Sequence, residues 1–389
     1  MYNFTFQNTT KIYFGENQLE NLGKELKQFG DKVLLTYGGG SIKKIGLYDK
    51  VIAELEKSGL KVFELSGIEP NPRHTTVNKG ADICKKENID VILAVGGGST
   101  IDCSKVIAAT TYYDGDGWDL VTQKAKVTNS LPIVSILTLA ATGSEMDDAA
   151  VISNIETNEK YGLLHPTMLP KVSFLDPTNT YTVNAYQTAC GSVDIMSHIF
   201  DMGYFKQTDK MFMLDSVMES MLKTVVKYAP IAIKEPENYE ARANLMWASS
   251  WALNNFLQTG GGHMPSCHAM EHELSAYYDI THGLGLAILT PRWMEYVLDE
   301  TSAPIMKSIG VNVFDVDSNL SDLDAAKEMI KRLSDFFFNT LGLDSTLTAI
   351  NIDETHFDIM SAKSCFGDKL YGYKALEPED VKNIFKMCL

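Results

Sequence analysis

The sequence is short of basic residues and of long apolar runs. Lysine and arginine together number 34 against 50 aspartate and glutamate residues, which gives a formal net charge of −16. Nucleic acids and anionic membranes attract basic surfaces, so neither is an expected partner. No apolar run approaches the roughly 20 residues that a membrane-spanning helix requires. The first residues, MYNFTFQNTTKIYFG, carry neither a basic head nor a long apolar stretch, and we expect no signal peptide.

Cysteine is sparse as well, and no C-x-x-C pair occurs. The cysteines are scattered along the chain, at Cys84, Cys103, Cys190, Cys267, Cys365 and Cys388. This distribution favours reduced, mostly buried thiols in a cytoplasmic protein over a disulfide framework. Cys267 is interpreted as a packing residue, although His268 follows it directly.

The first half of the chain alternates strand and helix patterns. Buried-strand runs are predicted in KVLLTYGGG, LKVFELSGI, VILAVGGGST and LPIVSILTLAATGSE, and a helix is predicted from about Ser41 to Ser58. Helical spacing follows in PNPRHTTVNKGADICKKEN and in IDCSKVIAATTYY. Strands that alternate with helices of this length predict a doubly wound α/β domain.

The second half changes character near Asp176. The segment DPTNTYTVNAYQ is rich in turn residues, and beyond it helical periodicity dominates while strand signals nearly vanish. A chain of 389 residues is long enough for two domains. We predict an α/β domain at residues 1–185 and an all-helical domain at residues 186–389.

One carboxylate and three imidazoles in the second half have spacings that suit a single divalent metal. Asp194 and His198 are four residues apart in GSVDIMSHIFD, so both lie on one face of a helix. His268 and His282 bracket the segment CHAMEHELSAYYDITHG, with His272 between them. One oxygen and three nitrogens suit Fe(II), Zn(II), Ni(II) or Mn(II), whereas calcium prefers more oxygens. The spacing therefore predicts a metalloenzyme.

Glycine-rich turns follow two of the predicted strands. The segment GGGS at 96–99, which includes Gly97, Gly98 and Ser99, follows the apolar strand VILAV and precedes a helix, and N–H groups at a helix N-terminus bind anions. We predict that this turn binds a pyrophosphate. Asp102, in the first helical turn, would repel an anion placed too near, and it either caps the helix or holds the glycine turn.

The other glycine turn favours NADP(H) over NAD(H). It ends the first strand, where the adenosine ribose of a dinucleotide would bind. Sites specific for NAD bind the ribose 2′-hydroxyl with an acidic residue, but residues 38–41 read GGGS and no acid occurs before Asp49. Lys43 and Lys44 follow directly. The segment TLAATGSE adds small hydroxyls that suit a cofactor's ribose or amide groups, at Thr138, Thr142 and Ser144.

Taken together, the glycine turns and the histidine set resemble the iron-containing (group III) alcohol dehydrogenase family, and most of all its bacterial butanol dehydrogenases. The resemblance covers essentially the whole chain. It is carried by GGGSTIDCSK, LAATGSEM, CGSVDIMSHIFD and the long segment HAMEHELSAYYDITHGLGLAILTPRWM. It implies a dehydroquinate synthase-like fold, with an α/β nucleotide domain, an all-α domain, an active-site cleft between them and a homodimer.

The resemblance also implies roles for particular residues. The family's metal ligands match Asp194, His198, His268 and His282, and a proposed proton-relay residue beside the metal matches His272. Its nucleotide contacts match residues in the glycine turns and nearby loops: Gly38, Gly39, Ser41, Asn71, Gly97, Gly98, Ser99, Asp102, Thr138, Thr142 and Lys160. Glycine at position 38 resembles the NADPH-using branch, although NAD(H) stays possible. Asp201 stands where the family usually has glutamate, and neither residue is a ligand.

These features predict a metal-dependent interconversion of small primary alcohols and aldehydes with NAD(P)H. A divalent cation lowers the pKa of a bound hydroxyl and polarises an aldehyde, and an imidazole with a pKa of about 6.5 suits proton exchange. The family expectation is Fe(II), with Zn, Ni, Co or Mn as alternatives. A dehydrogenase or synthase of a polyol or phosphorylated substrate stays open, but residues 250–295 contain one arginine and no lysine. A non-catalytic nucleotide- or metal-binding protein is the other alternative.

Overall fold

The structure, a computed structural model, describes residues 3–206, 211–259 and 261–389 and divides them into two compact units. The sheet unit comprises Gln7–Val183 and Glu237–Asn254. The helical unit takes its described residues from Met1–Phe6, Asn184–Pro236 and Asn255–Leu389. Residues 237–254 therefore group with the sheet unit, whereas the predicted domain limits of 1–185 and 186–389 followed chain order and stay a prediction.

The regular elements of the described residues are numbered here in chain order. The strands are β1 (Lys11–Phe14), β2 (Lys32–Tyr37), β3 (Lys61–Leu65), β4 (Val91–Gly96), β5 (Ile133–Leu137), β6 (Ala149–Asn154), β7 (Glu159–Leu164), β8 (Val172–Leu175), β9 (Leu370–Tyr371) and β10 (Ala375–Leu376). The helices of the sheet unit are α1 (Leu22–Leu26), α2 (Ser41–Lys44), α3 (Leu47–Lys57), α4 (His74–Glu87), α5 (Gly98–Thr110), α6 (Gly117–Val121) and, later in the chain, α9 (Tyr239–Ala252). Those of the helical unit are α7 (Ala185–Ser197), α8 (Phe212–Lys234), α10 (Ser266–Tyr278), α11 (His282–Tyr296), α12 (Ala303–Val313), α13 (Asp322–Asp335), α14 (Phe357–Ser364) and α15 (Pro378–Met387).

A six-stranded parallel sheet forms the centre of the sheet unit, in the order β1-β8-β5-β4-β2-β3. Along β2 the side chains alternate between two apolar clusters, with Leu34 in one and Val33 and Leu35 in the other. Val51 of α3 lies in the cluster with Val33, and Val106 of α5 lies in the cluster with Leu34. Helices therefore cover both faces, which confirms the predicted doubly wound architecture.

The strand order places a topological switch point between β2 and β4. From β2 the chain leads through α3 to β3 on one side, and from β4 it leads through α5 to β5 on the other. In open α/β sheets, ligands bind beyond the carboxyl ends of the strands at such a point. Both glycine-rich turns, Gly38–Ser41 and Gly96–Ser99, follow these two strands directly. The fold thus sets the two turns side by side.

Several elements differ from the sequence prediction. The single helix expected from Ser41 to Ser58 is two helices, because Gly46 adopts a left-handed conformation with φ of 73° between α2 and α3. The edge strand β1, the strand β8 and the antiparallel hairpin β6–β7 were not predicted. The helical unit also contains one short antiparallel pair, β9–β10.

Two further features concern the cysteines and the apolar character of the helices. All six cysteines are buried and none forms a disulfide in the described part of the chain. Among the described helices, none combines the length and apolar character that crossing a bilayer would need.

Candidate metal centre and nucleotide-binding loops

The first two candidate ligands lie on one face of α7 and its continuation. Asn184 caps α7 by accepting a hydrogen bond from the Gln187 N–H, and Asp194 lies in its last turn. His198 begins a π-helical turn, His198–Tyr204, that continues the helix. The i, i+4 spacing brings His198 Nδ1 to 3.7 Å from Asp194 Oδ1, and both side chains are buried.

Two further helices bring the remaining candidate ligands to the same carboxylate. His268 lies in the first turn of α10, and its Nε2 is 4.0 Å from Asp194 Oδ1. His282 is the first residue of α11, and its Nε2 is 3.7 Å from the same oxygen. The rings of His198 and His268 stack with centroids 4.7 Å apart. The structure therefore brings all four predicted ligand residues together.

The atoms that face this common point are suited to a cation. Asp194 Oδ1, His198 Nδ1 and His268 Nε2 are buried and have no hydrogen-bond partner within the described residues. Leaving buried polar atoms unsatisfied is costly, and a metal ion would satisfy all of them. Burial lowers the pKa of His198 to about 3, so its imidazole is in the neutral form that binds metals. One ligand atom each from Asp194, His268 and His282 lies within 4.8 Å of the others.

Two buried carboxylates contact the outer edges of the histidine rings, and the sequence analysis missed both. Asp201, in the π-helical turn, has its Oδ2 3.0 Å from His268 Nδ1. Glu271 contacts Nδ1 of His282 through Oε2. Burial tends to lower the pKa of His268, but the hydrogen bond to Asp201 and the nearby carboxylates raise it. A usable signal was present, because each carboxylate follows a ligand histidine by three residues, at His198 and at His268.

Close packing of α11 on α7 depends on Gly283. A Cβ atom at this position would lie 2.2 Å from the carbonyl oxygen of Cys190 on α7. Only glycine permits this approach, which sets His282 opposite Asp194. The first two residues of α11 are therefore the candidate ligand His282 and the glycine that lets this ligand approach Asp194.

His272 lies beside the four convergent side chains but is not one of them. It follows His268 by one helical turn on α10, is half-buried, and its ring centroid is 5.8 Å from that of His282. Its ligand atom lies within 4.8 Å of those of Glu271 and His282. His272 therefore lies beside the predicted ligand set, on the helix that also carries His268.

In the sheet unit, the predicted pyrophosphate turn packs against the hydroxyl-rich loop. Gly98 begins α5, and a Cβ atom there would lie 2.2 Å from Thr142 Oγ1. Thr138 donates its N–H to the carbonyl oxygen of Gly96, and the Ser99 hydroxyl bonds to the carbonyl oxygen of Pro70, the residue before Asn71. The structure therefore brings both loops and the segment before Asn71 to the N-terminus of one helix.

Asp102 holds this arrangement from within α5. One of its carboxylate oxygens accepts the Ser144 hydroxyl at 2.5 Å, and the other accepts the Val151 N–H at 2.9 Å. Burial raises the pKa of Asp102, whereas Lys105 and Lys160 lower it. These contacts tie α5 to the loop of Ser144 and to β6, and within the described residues no side chain caps the N-terminus of α5. Lys160 is buried and near enough to act electrostatically on Asp102.

The loop after β2 has open space on its outer side. No atom lies within 4 Å of a Cβ placed on Gly39 or Gly40, and a Cβ on Gly38 would lie 3.9 Å from Thr100 of α5. Ser41 is exposed. Lys43 folds back, with Nζ 5.0 Å from the ring of Tyr37. Both turns thus lie next to each other, as the switch point requires.

Two family models match this chain, one after the other in sequence order. Residues 9–177 match the family model described as iron-containing alcohol dehydrogenase, and residues 188–389 match the C-terminal model of that family. NADH-dependent butanol dehydrogenase A of Clostridium acetobutylicum is 50% identical and is aligned over 99% of both chains. NADPH-dependent aldehyde reductase YqhD of Escherichia coli is 34% identical, over 91% of this chain and 90% of the other.

A solved structure shares the whole fold. The crystal structure of NADH-dependent butanol dehydrogenase A from Thermotoga maritima superposes with a TM-score of 0.94 at 37% identity, covering 100% of this chain and 99% of that chain. These matches confirm the resemblance found in the sequence and the oxidoreductase class that it implied. The chain belongs to the iron-containing alcohol dehydrogenase family.

Proposed function

We propose that this enzyme interconverts small primary alcohols, of about the size of butanol, and their aldehydes with NADPH as its favoured cofactor and Fe(II) as its metal. The observation that carries the proposal is the convergence of three imidazoles on one buried carboxylate, Asp194, in a chain of this family. The names of the relatives support butanol-like substrates, since the Clostridium protein is called a butanol dehydrogenase.

The metal site consists of Asp194, His198, His268 and His282. A bound divalent cation would supply Lewis-acid polarisation of an aldehyde oxygen and stabilise the alkoxide of an alcohol. The protein residues hold the donor atoms in place and keep the site largely buried, with His282 the most exposed of the four at 24% of its side chain. Fe(II) is proposed from the family, and the donor set also suits Zn, Ni, Co or Mn.

His272 is proposed to carry the proton of the reaction. Reduction of an aldehyde adds a hydride to carbon and a proton to oxygen, and the reverse reaction removes both. A nearby imidazole can donate a proton to the negative charge that develops on the substrate oxygen. The ring of His272 lies 5.8 Å from that of the proposed ligand His282. His272 therefore has the reach, directly or through one water molecule, to exchange a proton with the substrate oxygen.

The nucleotide is proposed to bind at the two adjacent glycine turns. Backbone N–H groups of Gly97, Gly98 and Ser99 at the start of α5 suit the pyrophosphate. Asn71, Thr138, Thr142 and Lys160 are proposed as further contacts, and Asp102 is proposed to support the site by tying α5 to the loop of Ser144 and to β6. The support is that these segments meet at one helix N-terminus.

NADPH is proposed because the loop Gly38–Ser41 contains no acid and leaves open space at Gly39 and Gly40. A 2′-phosphate would be repelled by a carboxylate in this loop and would be tolerated by glycine and serine. Relatives of both kinds exist, since the Clostridium protein is named NADH-dependent and YqhD is named NADPH-dependent. The cofactor preference is therefore the finer part of the proposal.

A phosphorylated or polyhydroxylated substrate is the competing proposal on the same fold. Such substrates need several basic side chains, and residues 250–295, which include α10 and all but the last residue of α11, contain Arg292 and no lysine. Arg292 donates to the carbonyl oxygen of Ser345 at 2.7 Å and so already has a protein partner. These residues favour a small uncharged substrate.

The test is a steady-state comparison of NADPH and NADH with the aldehydes from propanal to hexanal, on protein whose metal content is assayed in parallel. We expect a higher kcat/KM with NADPH than with NADH, the highest kcat/KM for aldehydes in the middle of this series, and activity that depends on iron. Dihydroxyacetone phosphate serves as the phosphorylated control. Loss of nicotinamide absorbance with the control and not with butanal would contradict the substrate proposal, and no loss with any substrate would favour a binding protein.

We also propose a cytoplasmic homodimer. Support comes from the family for the dimer and from six buried cysteines without a disulfide for a reducing compartment. Light scattering on the purified protein tests the dimer, and a monomer at micromolar concentration would contradict it.

A further inference from the structure

We propose that Glu271 and Asp201 are positioning residues that fix the rings of His282 and His268, so that both histidines offer Nε2 to the metal. This inference rests on the metal site of the proposed function. Neither carboxylate faces the common point of the four ligands. Each instead contacts the opposite, Nδ1 edge of one ligand ring.

The side chain of Glu271 lies between α10 and α11, and residues of both helices contact it. It is fully buried on α10, three residues after His268. Oε2 contacts His282 Nδ1, and Oε1 accepts the hydroxyl of Ser275, one turn further along the helix. Space for the side chain comes from Gly285, since a Cβ atom there would lie 2.8 Å from Glu271 Cγ. A larger residue at position 285 would displace the carboxylate.

Asp201 holds both the ring of His268 and the start of its helix. Oδ2 is 3.0 Å from His268 Nδ1 and also accepts the His268 backbone N–H at 2.9 Å. Oδ1 accepts the Ser266 N–H at 2.7 Å. The residue in the N-cap position of α10 is Pro265, whose side chain makes no capping bond. Asp201 therefore does the capping from another element and places a negative charge at the positive end of α10.

These contacts select one tautomer for each ring. An ionised carboxylate only accepts hydrogen bonds, so the Nδ1 that faces it carries the proton and Nε2 keeps its lone pair. Nε2 of His268 and of His282 are the atoms that lie 4.0 and 3.7 Å from Asp194 Oδ1. A carboxylate behind a ligand histidine also raises the basicity of the ligand, and losing it typically weakens metal binding 10- to 100-fold.

The chain offers a matched control on the same helix. Glu273 is also buried on α10, but its carboxylate lies 3.8 Å from Lys363 Nζ. A change of Glu273 to glutamine removes the same charge from the same helix and leaves the histidine contacts in place. Any effect of Glu271 that acts through general destabilisation of α10 should appear in both variants.

The test measures metal binding in the absence of nucleotide and aldehyde. Full-length apoprotein is titrated with Co(II) against a chromophoric chelator, and the visible absorption of bound Co(II) reports the ligand geometry. We expect Glu271→Ala and Asp201→Asn to bind Co(II) 10- to 100-fold more weakly than wild type, with altered band positions. Glu271→Gln, which keeps an acceptor but no charge, should fall between wild type and Glu271→Ala. Ser275→Ala should show a smaller loss, and Glu273→Gln none.

Each outcome has a distinct meaning. Wild-type affinity and an unchanged Co(II) spectrum in folded Glu271→Ala or Glu271→Gln would overturn the positioning role. An equal loss in Glu273→Gln would overturn it too, because the effect would then belong to the helix. If Glu271→Ala does not fold, as judged by circular dichroism, Glu271→Gln and Ser275→Ala decide the question. Wild-type protein that binds no Co(II) would instead refute the metal site of the proposed function.

Discussion

The sharpest prediction concerns Gly283, the residue that follows the candidate ligand His282 in α11. Replacing it with alanine adds a single methyl group to α11. That methyl carbon would lie 2.2 Å from the carbonyl oxygen, 2.6 Å from the carbonyl carbon and 2.9 Å from the Cα atom of Cys190. All three atoms are backbone, so no side-chain rotation relieves the overlap.

The size of the overlap sets the expected displacement. Nonbonded carbon and oxygen atoms need about 3.4 Å, so the start of α11 must withdraw from α7 by about 1 Å. His282 is the adjacent residue and moves with the helix. Metal–ligand distances tolerate only about 0.2 Å, so Gly283→Ala should lose one of four ligands. We expect metal affinity to fall at least 100-fold and activity to fall with it.

The assay is Co(II) or Zn(II) titration of apoprotein, with circular dichroism to confirm folding. Alanine favours a helix over glycine by about 1 kcal/mol, so helix propensity alone predicts that Gly283→Ala stabilises α11. A loss of metal would therefore come from the overlap with α7. Gly162→Ala is the control, because no atom lies within 4 Å of a Cβ at that position. A folded Gly283→Ala protein with wild-type metal affinity would show that α11 is not held against α7 as described.

Four further predictions address the other parts of the site. Asp194→Ala should abolish tight metal binding and activity together, as measured by metal content after dialysis, and full activity in this metal-free variant would remove Asp194 from the ligand set. His272→Ala should keep its metal but lower kcat by 10²- to 10⁴-fold, with a changed pH profile, and an unchanged profile would contradict the relay. Gly39→Asp should raise KM for NADPH about tenfold or more and leave KM for NADH nearly unchanged, with Gly39→Asn as the uncharged control; equal effects on both cofactors would contradict the assignment of this loop to the 2′-phosphate. Burial raises the pKa of Asp147 from 3.8 to about 7 beside Lys105, so the folded state keeps this proton longer than the unfolded state. The difference in unfolding free energy between wild type and Asp147→Asn should therefore fall as pH rises from about 4 to about 7, as followed by urea denaturation, and a rise would contradict the sign.

Most of the correct sequence predictions rested on local patterns, namely apolar runs and helical spacing. The strands β2, β4 and β5 are largely apolar runs, because the centre of a parallel sheet is buried on both faces, whereas the edge strand β3 is mostly exposed or half-buried. Asp194 and His198 obey a helical spacing that any single helix would impose. The convergence of His268 and His282 on them was predicted from ligand chemistry, and the structure shows these side chains together.

Features that depend on distant contacts were missed. Asp201 was interpreted only as a non-ligand, and its contact with His268 spans 67 residues of sequence. The three-residue spacing of Asp201 from His198 does not by itself indicate this contact, because the partner ring is that of His268 and Asp201 lies in a π-helical turn. The strands β1 and β8 have four residues each, and β1 is partly exposed at the sheet edge, so neither gives a long apolar run. Short elements are fixed by pairing with strands elsewhere in the chain.

The distribution of functional residues has a consequence for how variants should fail. All four candidate ligands and both carboxylates behind them belong to the helical unit, whereas the glycine turns belong to the sheet unit. Gly283→Ala should therefore lose metal and keep its affinity for NADPH in a fluorescence titration, while Gly39→Asp should do the reverse. Loss of both ligands in either variant would mean that one binding event depends on the other, and the two sites would then have to be treated as coupled.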